Sequence, residues 1–474
     1  MCPVCFAVAL LLLLLTAAPV VAQMPMPPSK TAQQTPQSHK GQPSGQLMDG
    51  MGDMDMGDMP GMTMPMPSDP AAKLLMGESS GTSVQPSGWA MPMVMTGVGK
   101  GAGKWQLAWM AQAFITEVQE SHETTPPGEI HRGGNGLNST NWGMLSAQHP
   151  LAGGVVQLRA MLSLEPATIT ARRYPELFQF GETAFGQPVE DGQHPHNLVM
   201  EIGAQYAHRV GEGSVANFYY APVGDPALGP TAYPHRASAA ELPQATLAHH
   251  YEDSTHIADN VATAELAWSK LHVEASGFHG REPGENRWTV GSGAMDSWSA
   301  RVTWLPAKNW AAQISTGRLH HPEALEAGDE ERTTASVEYA NGERAASVIW
   351  GRDYKTGGHY AVNAVTVEGV TPVGRRNYIT GRVEWSQRDE LFAGDPVLAA
   401  TLPRWIDVTA FTGGYTRELS RWRDAALGLG VNATAYRVDD LSAISSVYGT
   451  RPWAVSLYLR VRLKKPATAH TTMH

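Results

Sequence analysis

The sequence predicts an all-β chain: a transmembrane antiparallel up-and-down β-barrel of about 16 strands, preceded by a disordered, methionine-rich N-terminal segment. Three observations carry this. Short runs of alternating apolar and polar residues recur from about residue 104 to residue 463. The connections between them alternate in length. No stretch of 18 consecutive apolar residues follows residue 22, so a membrane crossing by helix, which needs about 20, is excluded for the rest of the chain.

Composition narrows the classes further. Charged residues make up 17% of the 474, against roughly 25% in soluble domains. A formal net charge of −10 argues against a nucleic-acid partner, which calls for a basic face.

Residues 1–22 read as a signal peptide. Phe6–Leu15 is an apolar core, and Val20, Val21 and Ala22 offer a small-residue cleavage site before Gln23. No Lys or Arg precedes the apolar run, which keeps a short N-terminal anchor as the alternative. Both cysteines, Cys2 and Cys5, fall inside this segment. A mature chain without thiols has no disulfide, thiolate metal site or cysteine nucleophile.

Residues 23–100 are rich in Pro, Gly, Ser, Gln and Met, and all 14 tryptophans come at or after Trp89. With so little to bury, the segment is expected to be disordered. It is expected to lie in the periplasm, to supply no strand, and to be dispensable for the barrel.

The barrel is expected over 101–464, with a C-terminal tail over 465–474. Its clearest run is the last. Trp453, Val455, Leu457, Leu459, Val461 and Leu463 fall on one face, and Ser456, Tyr458, Arg460 and Arg462 on the other, as successive strand residues do. Sixteen such runs start near residues 104, 141, 154, 198, 214, 259, 271, 296, 309, 332, 343, 359, 376, 405, 421 and 453. Seven short connections alternate with eight long ones, among them 165–197 and 222–258. Asn341-Gly342 is a type I′ hairpin signal. Short turns at one end and long loops at the other are the asymmetry of outer-membrane barrels. Mid-strand charges at Glu201, Glu265, Glu338, Arg382, Arg460 and Arg462 then face a polar lumen. Alternation alone also suits a soluble periplasmic β-protein. Strand number, loop asymmetry and tryptophans near run ends (Trp105, Trp298, Trp304, Trp405, Trp422, Trp453) favour the membrane. The expected location is the Gram-negative outer membrane, with its lipids as partners and the oligomeric state open. The last run is followed by Lys464–His474, where such barrels usually end on an aromatic residue.

Chemistry concentrates in two places. Met48, Met51, Met54, Met56, Met59, Met62, Met64 and Met66 lie within 19 residues, interleaved with Asp49, Asp53, Asp55 and Asp58. Met24, Met26, Met91, Met93 and Met95 extend the pattern. Thioether sulfur is a soft ligand that selects Cu(I), and spacings of two and three residues let a flexible chain gather several sulfurs. The alternative is a low-complexity spacer. With its signal peptide, Met-rich tract and β-barrel, the chain resembles copper resistance protein B, an outer-membrane protein of bacterial copper tolerance. Met-Asp-Met and Met-Gly-Asp-Met are similar to that family's N-terminal repeats. The resemblance implies copper as the bound metal and periplasmic copper-handling proteins as partners. The family's repeats carry histidine and this tract has none, which points to Cu(I) over Cu(II).

The second place is histidine in the two longest loops. His194 and His196 follow Glu182, Glu190 and Asp191; His235, His249, His250, Glu252, Asp253 and His256 lie in the next long loop. Imidazole and carboxylate in such density suit a metal ion, and the topology puts both loops on one rim. The alternative is solvated histidines pinning backbone and Tyr groups.

No catalytic motif stands out. Ser254 or Ser297 beside a histidine is the one hydrolase arrangement to weigh, and no spacing singles it out; no enzyme activity is expected. Three functions follow: copper handling in a tolerance or efflux system, a general porin or solute channel with the Met-rich tract as spacer, and an outer-membrane hydrolase or adhesin.

Overall fold

The structure, a computed structural model, describes residues 67–99, 104–121, 132–253, 258–324, 327–422, 424–438 and 441–464. The chain opens with helix α1 (Pro70–Gly77) and strand β1 (Val94–Val98). Then come β2 (Trp105–Glu120), β3 (Asn135–Leu151), β4 (Gly154–Leu162), helix α2 (Glu165–Thr168), β5 (Tyr174–Ala184) and β6 (Gln187–Gln193). After these come β7 (Val199–Gly211), β8 (Ser214–Gly224), helix α3 (His249–Glu252), β9 (Ala258–Trp268) and β10 (Leu271–His279). Next are β11 (Ser297–Ala307), β12 (Trp310–Leu319), β13 (Glu330–Asn341), β14 (Arg344–Lys355), β15 (Tyr360–Val373) and β16 (Asn377–Arg388). The chain finishes with helix α4 (Pro396–Ala399), β17 (Ile406–Arg421), β18 (Ala425–Val438), helix α5 (Leu441–Tyr448) and β19 (Trp453–Leu463).

Sixteen of these strands form a closed antiparallel wall, β2-β3-β4-β7 and onward in chain order to β19. The ring is sealed by β19 on β2, from Ala454↔Glu120 to Arg462↔Gln112. A closed wall leaves no unpaired strand edge, the condition for a sheet to sit in lipid. Seven turns of two or three residues lie at the end that holds β1 and the last strand's exit, and eight connections of 4–36 residues lie at the other.

The face pattern is inverted relative to a soluble sheet. In β19 every odd residue from Trp453 to Val461 points out and every even residue from Ala454 to Arg462 is buried. The outer surface carries Ile115, Leu158, Ile202, Phe218, Leu266, Val302, Ile314 and Val431. Trp268, Trp304, Trp310 and Trp422 ring the short-turn end; Trp298 and Trp453 mark the loop end. Glu201, Glu265, Glu338, Arg382, Arg460 and Arg462 are all buried in the lumen. This apolar belt between aromatic girdles, around a polar interior, makes the chain a β-barrel of the outer-membrane type.

Two expected boundaries shift. β3 begins at Asn135 rather than near 141, because Asn135–Thr140 pairs with β2 although it has little apolar patterning. β17 runs to Arg421, past the turn expected at Leu419-Ser420, with a bulge at Glu418/Ser420. The hairpin at Asn341-Gly342 is also displaced by one residue. Asn341 pairs with Arg344 and the turn is Gly342-Glu343. Positive φ falls on Gly342 alone of the two (61°), the glycine-first pattern of type II′ turns.

The larger correction concerns the N-terminal segment, expected to be disordered through residue 100. Residues 67–98 are built into the barrel. Asp69 caps α1 by accepting the Ala71 N–H at 2.9 Å, and Pro70 takes the first helical position, where a missing N–H costs nothing. Ala71, Leu74 and Leu75 then seat on Val155, Ala207, Val215 and Ala267 near the short-turn end of the lumen. Residues Glu78–Gln85 cross the lumen as a polar chain. Gln157 donates to Leu75 O at 3.1 Å, Arg301 to Thr82 at 3.1 Å, and Arg159 to Gly81 O. β1 then pairs with β2 from Val94↔Trp109 to Val98↔Trp105, continuing along the edge of β2 that β19 leaves open. The composition rule failed here because it assumes burial against an apolar core. Ser79, Ser80, Thr82, Ser83 and Gln85 bury against a polar wall instead, and each hydrogen bond replaces one to water.

Candidate functional site: the histidine centre inside the lumen

The lumen is filled by two inward-folded loops. The first, 163–198, carries the β5–β6 hairpin; the second, 225–253 of the connection to β9, carries α3. Near the loop end they share an apolar cluster, in which Leu177, Phe178, Phe180, Leu247 and Tyr251 pack on Leu391, Phe392, Ile444 and Tyr448 and on inward wall residues Val362 and Val408. Deeper contacts are ionic. Arg236 of the second loop reaches Glu368 at 2.6 Å and Asp253 at 2.9 Å, and Arg382 of the wall meets the other oxygen of Glu368 at 2.8 Å. Arg388 donates to Phe178 O at 3.0 Å and Gln179 Oε1 at 2.6 Å in the first loop, and to Leu247 O at 2.5 Å in the second, stitching both to β16.

These contacts bring the two histidine regions together, as the shared rim implied. His194, at the end of β6, and His249 and His250, opening α3, each offer a ring nitrogen, and the three nitrogens lie within 4.8 Å of one another. All three side chains are buried. Ring centroids are 4.1 Å apart for His249–His250 and 5.6 Å for His194–His250. Gln193 Oε1 holds His249 through Nε2 at 2.8 Å. Glu182 lies 3.3 Å from His194 Nε2 and ion-pairs with Arg287. Its backbone is left-handed (φ 62°), as is that of Phe178 (φ 66°). Non-glycine residues there are strained, a feature that gathers at functional sites. Two further acids arrive from other loops: Glu282 at 3.3 Å and Glu323 at 3.9 Å from His250 Nδ1. His250, Glu282 and Glu323 likewise bring one ligand atom each to within 4.8 Å of one another.

Burial, helped by neighbouring His250, pushes His194 down to about 3, so its imidazole is neutral and able to coordinate. Burial works against an ionised Glu282, yet His250 beside it leaves its carboxyl below the ordinary value. Glu323 moves the other way, raised by burial and then by the charge of Glu282.

The other candidate residues disperse. His196 turns away to Glu165, with Nδ1 2.9 Å from the carboxylate and its N–H donating at 2.7 Å. Glu190 accepts from Gly394 N, and Asp191 from Phe178 N and Tyr448; both tie loops together. Asp253 serves Arg236. His235 packs edge-on against Trp142, centroids 4.1 Å apart. His256, Ser254 and the Met48–Met66 tract lie outside the described residues. Ser297 Oγ donates to Asp296 and accepts from His320 N. Glu282 and Glu323 were not singled out from the sequence; each is one of three acids in its own loop (with Glu285 and Asp296, and with Glu326 and Asp329), no spacing marks it from the others, and only the tertiary structure brings the two to His250.

A second feature joins the wall to the N-terminal segment. Met110, Met144 and Met161 sit directly opposite one another on β2, β3 and β4. All three are buried, and Met200, Met91 and Met93 pack on the row. Met76, Met93 and Met95 line a cavity of about 20 Å³ with Met110 and Met144.

Comparison with known proteins finds no matching family model and no matching curated protein. Similar solved structures include Salmonella typhi OmpF in complex with daunomycin, 9% identical over 78% of this chain and 100% of that one, TM-score 0.46. The outer-membrane channel DcaP of Acinetobacter baumannii is 10% identical over 77% and 99%, TM-score 0.46. An anion-selective porin from Comamonas acidovorans is 11% identical over 76% and 100%, TM-score 0.44.

Proposed function

We propose that this protein is a solute conduit of the outer membrane whose lumen is held closed by its own loops and N-terminal segment. The observation that carries the reading is the pairing of wall and filling. Sixteen strands enclose a lumen wide enough for an aqueous channel. What fills it is attached largely by polar side chains such as Arg236, Arg301 and Arg388, contacts that water can replace. The test is ion conductance in planar bilayers, for the intact chain and for a deletion of residues 67–90, which keeps β1. The deletion is expected to raise open probability. Conductance at the bare-lipid level for both, with assembly verified by heat-modifiable gel migration, would sink the reading.

One observation favours copper handling as a second reading. The row Met110, Met144 and Met161 faces inward where the neighbouring wall is polar, and Met91 and Met93, which continue the pattern of the Met-rich tract, pack on it. In this reading Cu(I) passes from tract to row, and periplasmic copper-handling proteins are the partners. Cu(I) titration of the full chain against a chromophoric chelator, before and after replacing the eight tract methionines by Leu, decides it. Equal affinities make the tract a spacer.

A further inference from the structure

We propose that His194, His249 and His250 form a binding site for a divalent transition-metal ion of the zinc type, inside the lumen, with Glu282 as the group that orients His250. The inference goes beyond the conduit reading and needs no ion to pass through the barrel.

Three imidazoles are a costly set to bury together. Each needs a hydrogen-bond partner, and the three repel when protonated. Neutral imidazoles around one cation remove both costs. A tetrahedral ion with Zn–N bonds of about 2.0–2.1 Å sets its ligand nitrogens roughly 3.4 Å apart. The three nitrogens already lie within 4.8 Å, so side-chain rotations of about 1 Å complete the geometry, and a water or Glu182 supplies the fourth ligand. The surroundings fit a cation. Glu182, Glu282 and Glu323 bring carboxylates to the rim of the trio. Glu282 on Nδ1 of His250 is the carboxylate–histidine arrangement that fixes the ring of a metal ligand. The donor set is imidazole and carboxylate, which suits Zn(II), Co(II) and Ni(II) and is distinct from the thioether row. An ion here would fasten the first filling loop to the second and, through Glu282 and Glu323, to the loops over 280–296 and 320–329.

The test uses the full chain, purified in detergent and stripped with a chelator, titrated with Co(II) and followed by its visible absorption, then with Zn(II) in competition. The expected result is about one equivalent of tightly bound Co(II) with the intense bands of tetrahedral coordination, displaced by Zn(II). His194→Asn combined with His249→Asn is expected to abolish that equivalent. Glu282→Gln is expected to weaken it by about 10–100-fold. Replacing His320 and His321 by Ala removes the exposed histidine–aspartate group with Asp329 and is expected to leave the equivalent intact. Should the double variant fail to assemble, the single His250→Asn change reads the same site. The proposal is overturned if the intact chain takes up no stoichiometric Co(II), or if uptake survives loss of His194 and His249, or if it is lost with His320 and His321.

Discussion

Strand β19 and the loop over 225–253 are both extensively buried, yet their sequences look nothing alike. β19 turns Trp453, Val455, Leu457, Leu459 and Val461 to lipid and Ser456, Tyr458, Arg460 and Arg462 to the lumen. The loop buries nearly every residue from Asp225 to Asp253 with no period at all. The wall has two solvents, hydrocarbon outside and a polar interior inside, so each residue must alternate. The loop has one surrounding, a lumen whose mostly polar wall carries a few apolar patches that take Leu228, Ala237, Leu247 and Tyr251. Its burial depends on where individual hydrogen bonds and ion pairs fall, and that leaves no repeating mark on the chain. The N-terminal residues 78–85 follow the loop's rule, and for the same reason they resemble a linker.

If this contrast is right, substitutions in the two regions should fail differently. Arg236→Ala should have the largest effect. It leaves Asp253 without its guanidinium and Glu368 with Arg382 alone, and breaking a buried pair costs about 3–5 kcal/mol. The loss should appear as faster hydrogen exchange over 225–253 while heat-modifiable migration persists; a wall that no longer assembles would break the comparison. Ile314→Arg should act on the wall instead. Ile314 points outward at 57% exposure, opposite Val302, and a cation near the lipid midplane costs about 2–4 kcal/mol. Urea unfolding in micelles should shift accordingly, with loop exchange unchanged until the barrel opens.

Asp225 sharpens the comparison through pH. Burial pushes its carboxyl up to about 7, against the hydrogen bond from Ser80, whereas an unfolded Asp titrates near 3.9. A folded value raised above the unfolded one means that ionisation opposes folding. The seat of the N-terminal segment is therefore tightest below pH about 4 and loosens as pH rises through about 7. Asp225→Asn should flatten that slope and strengthen the seat at pH 8 by about 1–3 kcal/mol, read as protease protection of residues 67–90. An unchanged slope would place its origin elsewhere. The smallest effect belongs to Asp69→Ala. Loss of the cap on α1 should cost about 0.5–2 kcal/mol, seen as fraying of 70–77 in hydrogen exchange with the wall untouched.

By itself the sequence determined the wall. The sixteen runs, the seven turns and eight loops, and the inward charges follow from a two-faced strand between unlike solvents, a constraint written at every second residue. It also placed His194 and His249–His250 in loops sharing one rim. Tertiary structure alone decided that these loops fold inward, that His196 turns to Glu165 while His194 joins the pair on α3, and that Glu282 and Glu323 complete the surroundings. It alone also decided that residues 67–98 close the short-turn end and extend the sheet. The physical reason is common to all of these. Contacts inside a polar lumen are made one hydrogen bond at a time between residues from 31 to 219 positions apart, and no local pattern records them.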